Sequence, residues 1–169
     1  MEKYNYTIRD NYLLFWHSHF SNWYPANFII DIADVGTMRF NCAEQYMMYM
    51  KAKTFDDKSI MSSIINTNDP KEQKRLGRDV KNFNPIVWDK LKEPVVYYAC
   101  LAKYSQNEDL KKDILDTKDL ILVEASPYDK IWGIGMAESD PDATNESKWK
   151  GQNLLGKALM KVRNTLRSK

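Results

Sequence analysis

The feature that most constrains this chain is a change of hydrophobic period at Asn41. Before it, residues 12–40 are rich in aromatic and β-branched residues, broken at Asn22, Pro25, Asn27 and Gly36; from Asn41 onward that strand-like pattern stops. Phe28-Ile29-Ile30 and Thr37-Met38-Arg39-Phe40, separated by Asp34-Val35-Gly36, predict a short hairpin. Asn41 is placed to cap a helix running through Phe55, with Glu44 at its third position, where a negative charge suits the helix dipole. Further helices are expected over 57–66, 70–81, 85–105 and 107–116. The helix from 70 opens on Asp69-Pro70, a cap followed by an N1 proline. Pro94 should break or kink the 85–105 helix near Lys92.

The pattern changes again at Leu120. Residues 120–125 read as the clearest strand, followed by a loop at Ser126-Pro127-Tyr128-Asp129 and tight backbone at Trp132-Gly133-Ile134-Gly135. A polar stretch from Ala137 to Lys150 reads as a surface loop. The last helix, 151–167, carries Leu154, Leu155, Ala158, Leu159 and Val162 on one stripe, with Asn153 near its start as a cap. No repeat or linker divides the sequence. The expectation is a single α+β domain over 1–169, mostly α-helical with a small β-sheet, and 169 residues suffice to bury a core without staples.

Charge narrows the function classes. Lys and Arg number 25 against 23 Asp and Glu, a net +2, which excludes a strongly basic nucleic-acid mantle and an acidic tail and leaves room for a small basic patch. Two cysteines, Cys42 and Cys100, make no disulfide framework. His17 and His19 lack a third ligand nearby and read as surface or turn histidines rather than a metal site. No apolar run approaches the ~18 residues of a membrane span, and the start shows no signal-like segment, so the cytoplasm is the expected location.

The familiar signatures are missing: no Walker-type phosphate loop, no dinucleotide glycine fingerprint, no nucleophile elbow, no zincin pair. What remains is weaker. Gly133-Ile134-Gly135 is either a phosphate-binding turn or a tight turn against the core. Glu44 and Lys51, seven apart, return to nearly the same helix face, roughly 10 Å apart along the axis. By spacing alone they are solvated helix charges; the competing reading is an acid and an amine at opposite ends of a cleft. Asp129 sits where working carboxylates are common and where turn-forming aspartates are commoner. Trp88 and Trp132 read as core residues before stacking platforms.

Taken in order, these pieces form a set. Phe20-Ser21-Asn22-Trp23-Tyr24-Pro25 is followed by Ala43-Glu44-Gln45-Tyr46, Lys51, Gly77-Arg78-Asp79, Trp88 and Ala102-Lys103-Tyr104-Ser105-Gln106. Asp129-Lys130-Ile131-Trp132-Gly133-Ile134-Gly135 and Gly151-Gln152-Asn153-Leu154-Leu155-Gly156 complete it. The series resembles the NADAR (YbiA-like) family over roughly residues 12–167, with departures at Ala43, where some relatives have Ser or Thr, and at Gln45, where some have His.

That resemblance implies an N-glycosidase acting on ribose attached to a nitrogen. Two substrate classes are associated with the family: ribosylamino-pyrimidine phosphates of riboflavin synthesis, and ADP-ribose on a nucleobase such as guanine. The near-neutral charge argues against a grip on long nucleic acid and leaves room for one modified nucleotide in a single strand. It implies catalytic roles for Glu44, Lys51 and Asp129, and no metal or cofactor. Glu44 and Asp129 would divide proton transfer and charge stabilisation, one kept protonated by burial. Lys51 offers a Schiff-base route if burial makes its amine partly neutral. Trp88 and Trp132 would stack on base or ribose. Gly133, Gly135 and the last helix near Asn153 would give N–H groups to phosphate, with Arg78 and Lys103 as phosphate partners and Asn22 as a ribose contact. Competing classes are a non-catalytic ADP-ribose-binding module, which would not demand an acid and an amine together, and a structural protein resting on the 137–150 loop and the charged last helix.

Overall fold

The computed structural model describes residues 3–168. In chain order its elements are β1 (Tyr6–Arg9), β2 (Tyr12–Phe15), β3 (Phe28–Ile32), β4 (Gly36–Phe40), α1 (Ala43–Thr54), α2 (Lys58–Ile65) and α3 (Pro70–Arg78). There follow α4 (Pro85–Ser105), α5 (Glu108–Asp116), β5 (Ile121–Glu124) and α6 (Leu154–Arg167), with single 3-10 turns at Pro141–Thr144 and Glu146–Lys148 before the last helix. The fold is α+β and mostly helical, and its strands form two small sheets rather than one. The chain divides into two compact units. One is formed by the chain up to Tyr24 and from Glu108 onward, the other by Pro25–Asn107.

In the first unit β1 and β2 pair antiparallel, Tyr6 opposite Phe15, and β2 runs parallel to β5, Tyr12 opposite Ile121. The sequence reading did not predict β1 and β2, because four residues are too few for alternation to show. Their signal is the turn at Asp10-Asn11, where Asp10 takes φ 54°, a conformation that Asp and Asn tolerate. Leu13, Leu14 and Phe15 are buried in succession, the mark of a strand covered on both faces. Leu14, Val123, Ala125, Ile134, Met136 and Ala143 form a core against which Tyr12, Ile121 and Trp149 pack. Ala143 and Trp149 therefore correct the reading of 137–150 as a purely surface loop. The indole N–H of Trp149 donates to the Ala143 carbonyl at 2.9 Å and folds that stretch back on itself.

The apolar stripe of α6 packs on β5. A Cβ on Gly156 would lie 2.1 Å from the Leu122 carbonyl oxygen, so only glycine allows this approach. Inside the same unit Arg163 donates to the Thr117 hydroxyl and to the Leu120 carbonyl, both at 2.8 Å, and fixes the entry to β5. His19 is buried among Tyr4, Tyr6, Phe20 and Tyr24, its Nδ1 bonded to the Lys3 carbonyl, while His17 is exposed at φ 55°. Only His17 matches the expected surface histidine; the other is enclosed where the fold brings Tyr4 and Tyr6 of the β1 region against the 19–24 segment.

The second unit is built around α1, buried from Ala43 to Tyr49 and again at Ala52. A helix enclosed on nearly all sides loses the amphipathic period. The hairpin β3–β4 forms as predicted, with Phe28 opposite Phe40 and Ile32 opposite Gly36, the latter at φ 97°. Helices α2, α3 and α4 all pack against α1. Asn41 does not cap α1: Cys42 occupies that position without a side-chain bond. The Asn41 N–H donates instead to Gln45 Oε1 (2.8 Å), and its side chain joins Asn68 and Gln73. Gln45 Nε2 in turn donates to the carbonyls of Ile64 (3.0 Å) and Thr67 (3.1 Å), closing the end of α2 onto α1.

Helix α3 ends at Arg78 rather than near 81, since Val80 turns inward and the Lys81 N–H is taken by Asp57 at 2.9 Å. Pro94 neither ends nor splits α4. It lies on the exposed face, where water can take the carbonyl that a proline leaves without its helical donor. At the far end of α4, Gln106 exchanges two 2.8 Å bonds with the backbone of Ile29, and Asn107 Nδ2 donates to the Asn27 carbonyl at 3.0 Å. The two ends of this unit's chain segment are thereby tied to each other.

Candidate functional site

The residues singled out in the sequence fall into two groups, one per unit. Glu44, Lys51, Arg78, Trp88 and Lys103 belong to the Pro25–Asn107 unit; Asn22, Asp129, Trp132, Gly133, Gly135 and Asn153 belong to the other.

In the first group Glu44 and Lys51 lie at opposite ends of α1. Glu44 is only 3% exposed, so the reading of both as solvated helix charges does not hold. Its place in the first turn puts it at the positive end of the helix dipole. Lys51 is half-buried, and its Nζ donates to the Gly77 carbonyl at 2.6 Å. That carbonyl is in the last turn of α3, where main-chain acceptors lack helical donors. A Cβ on Gly77 would meet the Met48 sulfur at 2.0 Å, so the glycine lets α3 settle against α1 and brings its carbonyl to the amine.

Opposing influences act on that amine. Burial, then the positive charge of Arg78, push it toward the neutral form, while Glu44 opposes them; the net is a pKa below the ordinary lysine value. The ring of Phe83 stands over it, with the ring centre 4.2 Å from Nζ, and Phe55 meets that ring edge-on at 5.4 Å. Sequence reasoning passed over Phe83. It lies just before the Asn84-Pro85 start of α4, five residues ahead of Trp88, which is the spacing of a hydrophobic staple. That spacing was the available signal.

Lys103 is 1% exposed, and burial draws its pKa down to about 8 against the opposing influence of the Cys100 and Cys42 thiols. Cys42 is pushed the other way, up to about 11, chiefly by burial, and its thiol donates to Gln73 Oε1 at 3.2 Å. Arg78 is exposed at the end of α3, and Trp88 is 8% exposed on α4. Gln45 is a structural link between α1 and α2 rather than part of an open surface.

In the second group the loop after β5 is braced from within. Asp129 Oδ1 accepts from the N–H groups of Ile131 (2.9 Å) and Trp132 (2.8 Å), and Ser126 Oγ accepts from that of Asp129 (3.2 Å). Gly135, at φ 68°, donates to the Asp129 carbonyl. The stretch 150–155 then lies along this turn. The Lys150, Gln152, Asn153, Leu154 and Leu155 N–H groups donate to the carbonyls of Ile134, Lys130, Gly133, Ile131 and Trp132.

This corrects two expectations. Helix α6 begins at Leu154, not 151, and the Leu154 and Leu155 N–H groups at its start are taken by the carbonyls of Ile131 and Trp132, so they do not form an open phosphate cradle. Asn153 is 1% exposed at φ 52° and makes no capping bond. Its Nδ2 donates to the Leu122 carbonyl and its Oδ1 accepts from the Glu124 N–H, both at 3.0 Å, so it braces β5. Trp132 is half-buried and Asn22 buried. Among the described residues no three His, Cys, Asp or Glu side chains converge as a metal ion would need.

A family model described as the NADAR domain matches residues 14–167. The chain belongs to the NADAR family. A relative named as an N-glycosidase, from Acanthamoeba polyphaga mimivirus, is 45% identical over 144 residues, covering 85% of each chain. A riboflavin biosynthesis protein of Vibrio vulnificus is 27% identical over 150 residues, spanning 89% of this chain and 36% of that protein. The NMR structure of the E. coli protein YbiA superimposes with a TM-score of 0.73 at 24% identity, covering 99% of this chain and 91% of that one, and shows the same fold. No helix among the described residues is long and apolar enough to cross a membrane.

Proposed function

We propose that this NADAR chain is an N-glycosidase that cleaves the bond between ribose C1 and a nitrogen on a phosphate-bearing substrate. The class, a hydrolase of N-glycosidic bonds, follows from family membership and from relatives that carry that name. The observation that best supports the mechanism is the Lys51 amine, which shares α1 with the buried Glu44: it is half-buried, its pKa lies below the ordinary lysine value, and it donates at 2.6 Å to the Gly77 carbonyl of α3.

In the proposed sequence a carboxyl group protonates the ribose ring oxygen as the C1–O bond opens, leaving C1 doubly bonded to the substrate nitrogen. The Lys51 lone pair adds to C1. A proton passes from Nζ to the original nitrogen, the C1–N bond breaks with its electrons going to that nitrogen, and a Schiff base between C1 and Nζ remains. Water adds at C1, the C1–Nζ bond breaks, and the sugar aldehyde closes to its ring. Glu44 and Asp129 are the proposed proton-transfer groups, a role worth ~10²–10⁴ in rate. Arg78 and Lys103 are the proposed phosphate partners, and Trp88 and Trp132 the proposed stacking surfaces. The substrates to test are a ribosylamino-pyrimidine phosphate, which the names of riboflavin-pathway relatives favour, and an ADP-ribosylated guanine in a single strand. We place the reaction in the cytoplasm.

The test incubates each substrate with protein, with and without borohydride, and follows sugar release and adducts by mass spectrometry. Release with a sugar-sized adduct on Lys51, both lost in Lys51→Ala, is the expected result. Near-normal turnover in Lys51→Ala ends the Schiff-base step and leaves the glycosidase; binding of both substrates without release means a binding module.

A further inference from the structure

Resting on that role for Lys51, we propose that Phe83 is a positioning residue that, with the Gly77 carbonyl, fixes the direction in which the Lys51 amine presents its lone pair. The geometry is local to one unit. On one side Nζ donates to the Gly77 oxygen at 2.6 Å; on another it faces the Phe83 ring, centre 4.2 Å away.

A neutral amine has two N–H bonds and one lone pair. With one N–H directed at the carbonyl and the other at the negative face of the ring, the lone pair is left pointing in a third, defined direction. Without the ring the second hydrogen and the lone pair can exchange places by rotation about the terminal carbon–nitrogen bond, and the amine presents hydrogen to the substrate as often as electrons. The ring is itself held by the edge of Phe55 at 5.4 Å. Phe83 is 42% exposed, so burial of its own apolar surface gives only a partial reason for an aromatic residue there.

Removing the ring has two separable consequences. A π face over an ammonium group stabilises the charged form, so Phe83→Leu, which keeps apolar cover, should move the titration midpoint of Lys51 down by roughly half a pH unit. More neutral amine would by itself speed the reaction. If orientation is what Phe83 supplies, kcat falls nonetheless.

The experiment measures the pH dependence of Lys51 acylation in the full chain by competitive labelling and mass spectrometry, alongside kcat and KM, for wild type, Phe83→Leu and Phe83→Tyr. The expected result is a lowered Lys51 midpoint in Phe83→Leu together with a fall of about tenfold in kcat and little change in KM. Phe83→Tyr, which retains the π face, recovers most of the loss. An unchanged or raised midpoint in Phe83→Leu overturns the ring–amine contact, and a kcat that stays level or rises overturns the orienting role. Absence of sugar release from the wild type sinks the glycosidase instead, and the labelling still reports on the ring.

Discussion

Lys103→Met should make this protein more stable near neutral pH, by an amount that shrinks as pH rises. The amine is almost fully enclosed and its pKa is drawn from 10.5 to about 8 by burial. Each unit of pKa difference between folded and unfolded chain is worth about 1.4 kcal/mol. Below pH 8 both states hold the proton and the folded state bears the whole penalty, about 3 kcal/mol at pH 7. Between about pH 8 and 10.5 the folded protein gives up the proton while the unfolded chain keeps it. The unfolded state then binds more protons, so wild-type stability climbs with pH, and the penalty is about 2 kcal/mol at pH 9.

Cys42 acts in the opposite sense. With its pKa raised to about 11, stability declines above the ordinary thiol value near 9, so the useful window is pH 7 to 9. Urea unfolding of wild type and Lys103→Met across that window should give curves whose separation narrows by about 1 kcal/mol. Parallel curves, or a variant less stable than wild type at pH 7, would refute the reasoning.

Two other substitutions test the packing. Gly156→Ala carries a helix-propensity gain of up to ~1 kcal/mol, but its Cβ would press on the Leu122 carbonyl and on the Asn153 side chain; overpacking of ~1–3 kcal/mol plus weakened Asn153 bonds should win, lowering the urea midpoint. Gln45→Leu removes the bonds to the Ile64 and Thr67 carbonyls and to the Asn41 N–H, and should cost roughly 2–3 kcal/mol by the same assay.

Much of the fold could be read from the sequence, and the reasons for the rest are specific. Helix α3 announces itself through Asp69-Pro70, and the structure shows Asp57 and Asn84 in the same role at α2 and α4: each is an N-cap whose side chain accepts from the following turn. The hairpin follows from the turn at Asp34-Val35-Gly36, and β5 from a short continuous apolar run. Asn41 and Asn153 mislead because an asparagine before a helix has two uses. Here both bond to a neighbouring segment far along the chain, and only the fold brings that segment near. Glu44 and Lys51 were legible as a spaced pair, whereas the burial of the first comes from tertiary packing and the carbonyl held by the second depends on α3 closing against α1. The acceptor that fixes Lys51 is a main-chain oxygen, which carries no sequence signature at all.

The knot of bonds joining Gln106 and Asn107 to Ile29 and Asn27 has a consequence for how the chain finds its shape. Strands β2 and β5 must pair in parallel across roughly a hundred intervening residues, and bringing distant points of a coil together carries an entropic cost that grows with the length between them. Once 25–107 has folded with its ends fastened, only about twenty loose residues separate the two strands. By loop-closure arithmetic that shortening lowers the cost of the pairing by about 1 kcal/mol. The inserted unit, by clasping its own ends, works as a buckle: it delivers the start of the chain to the later strand that completes the sheet.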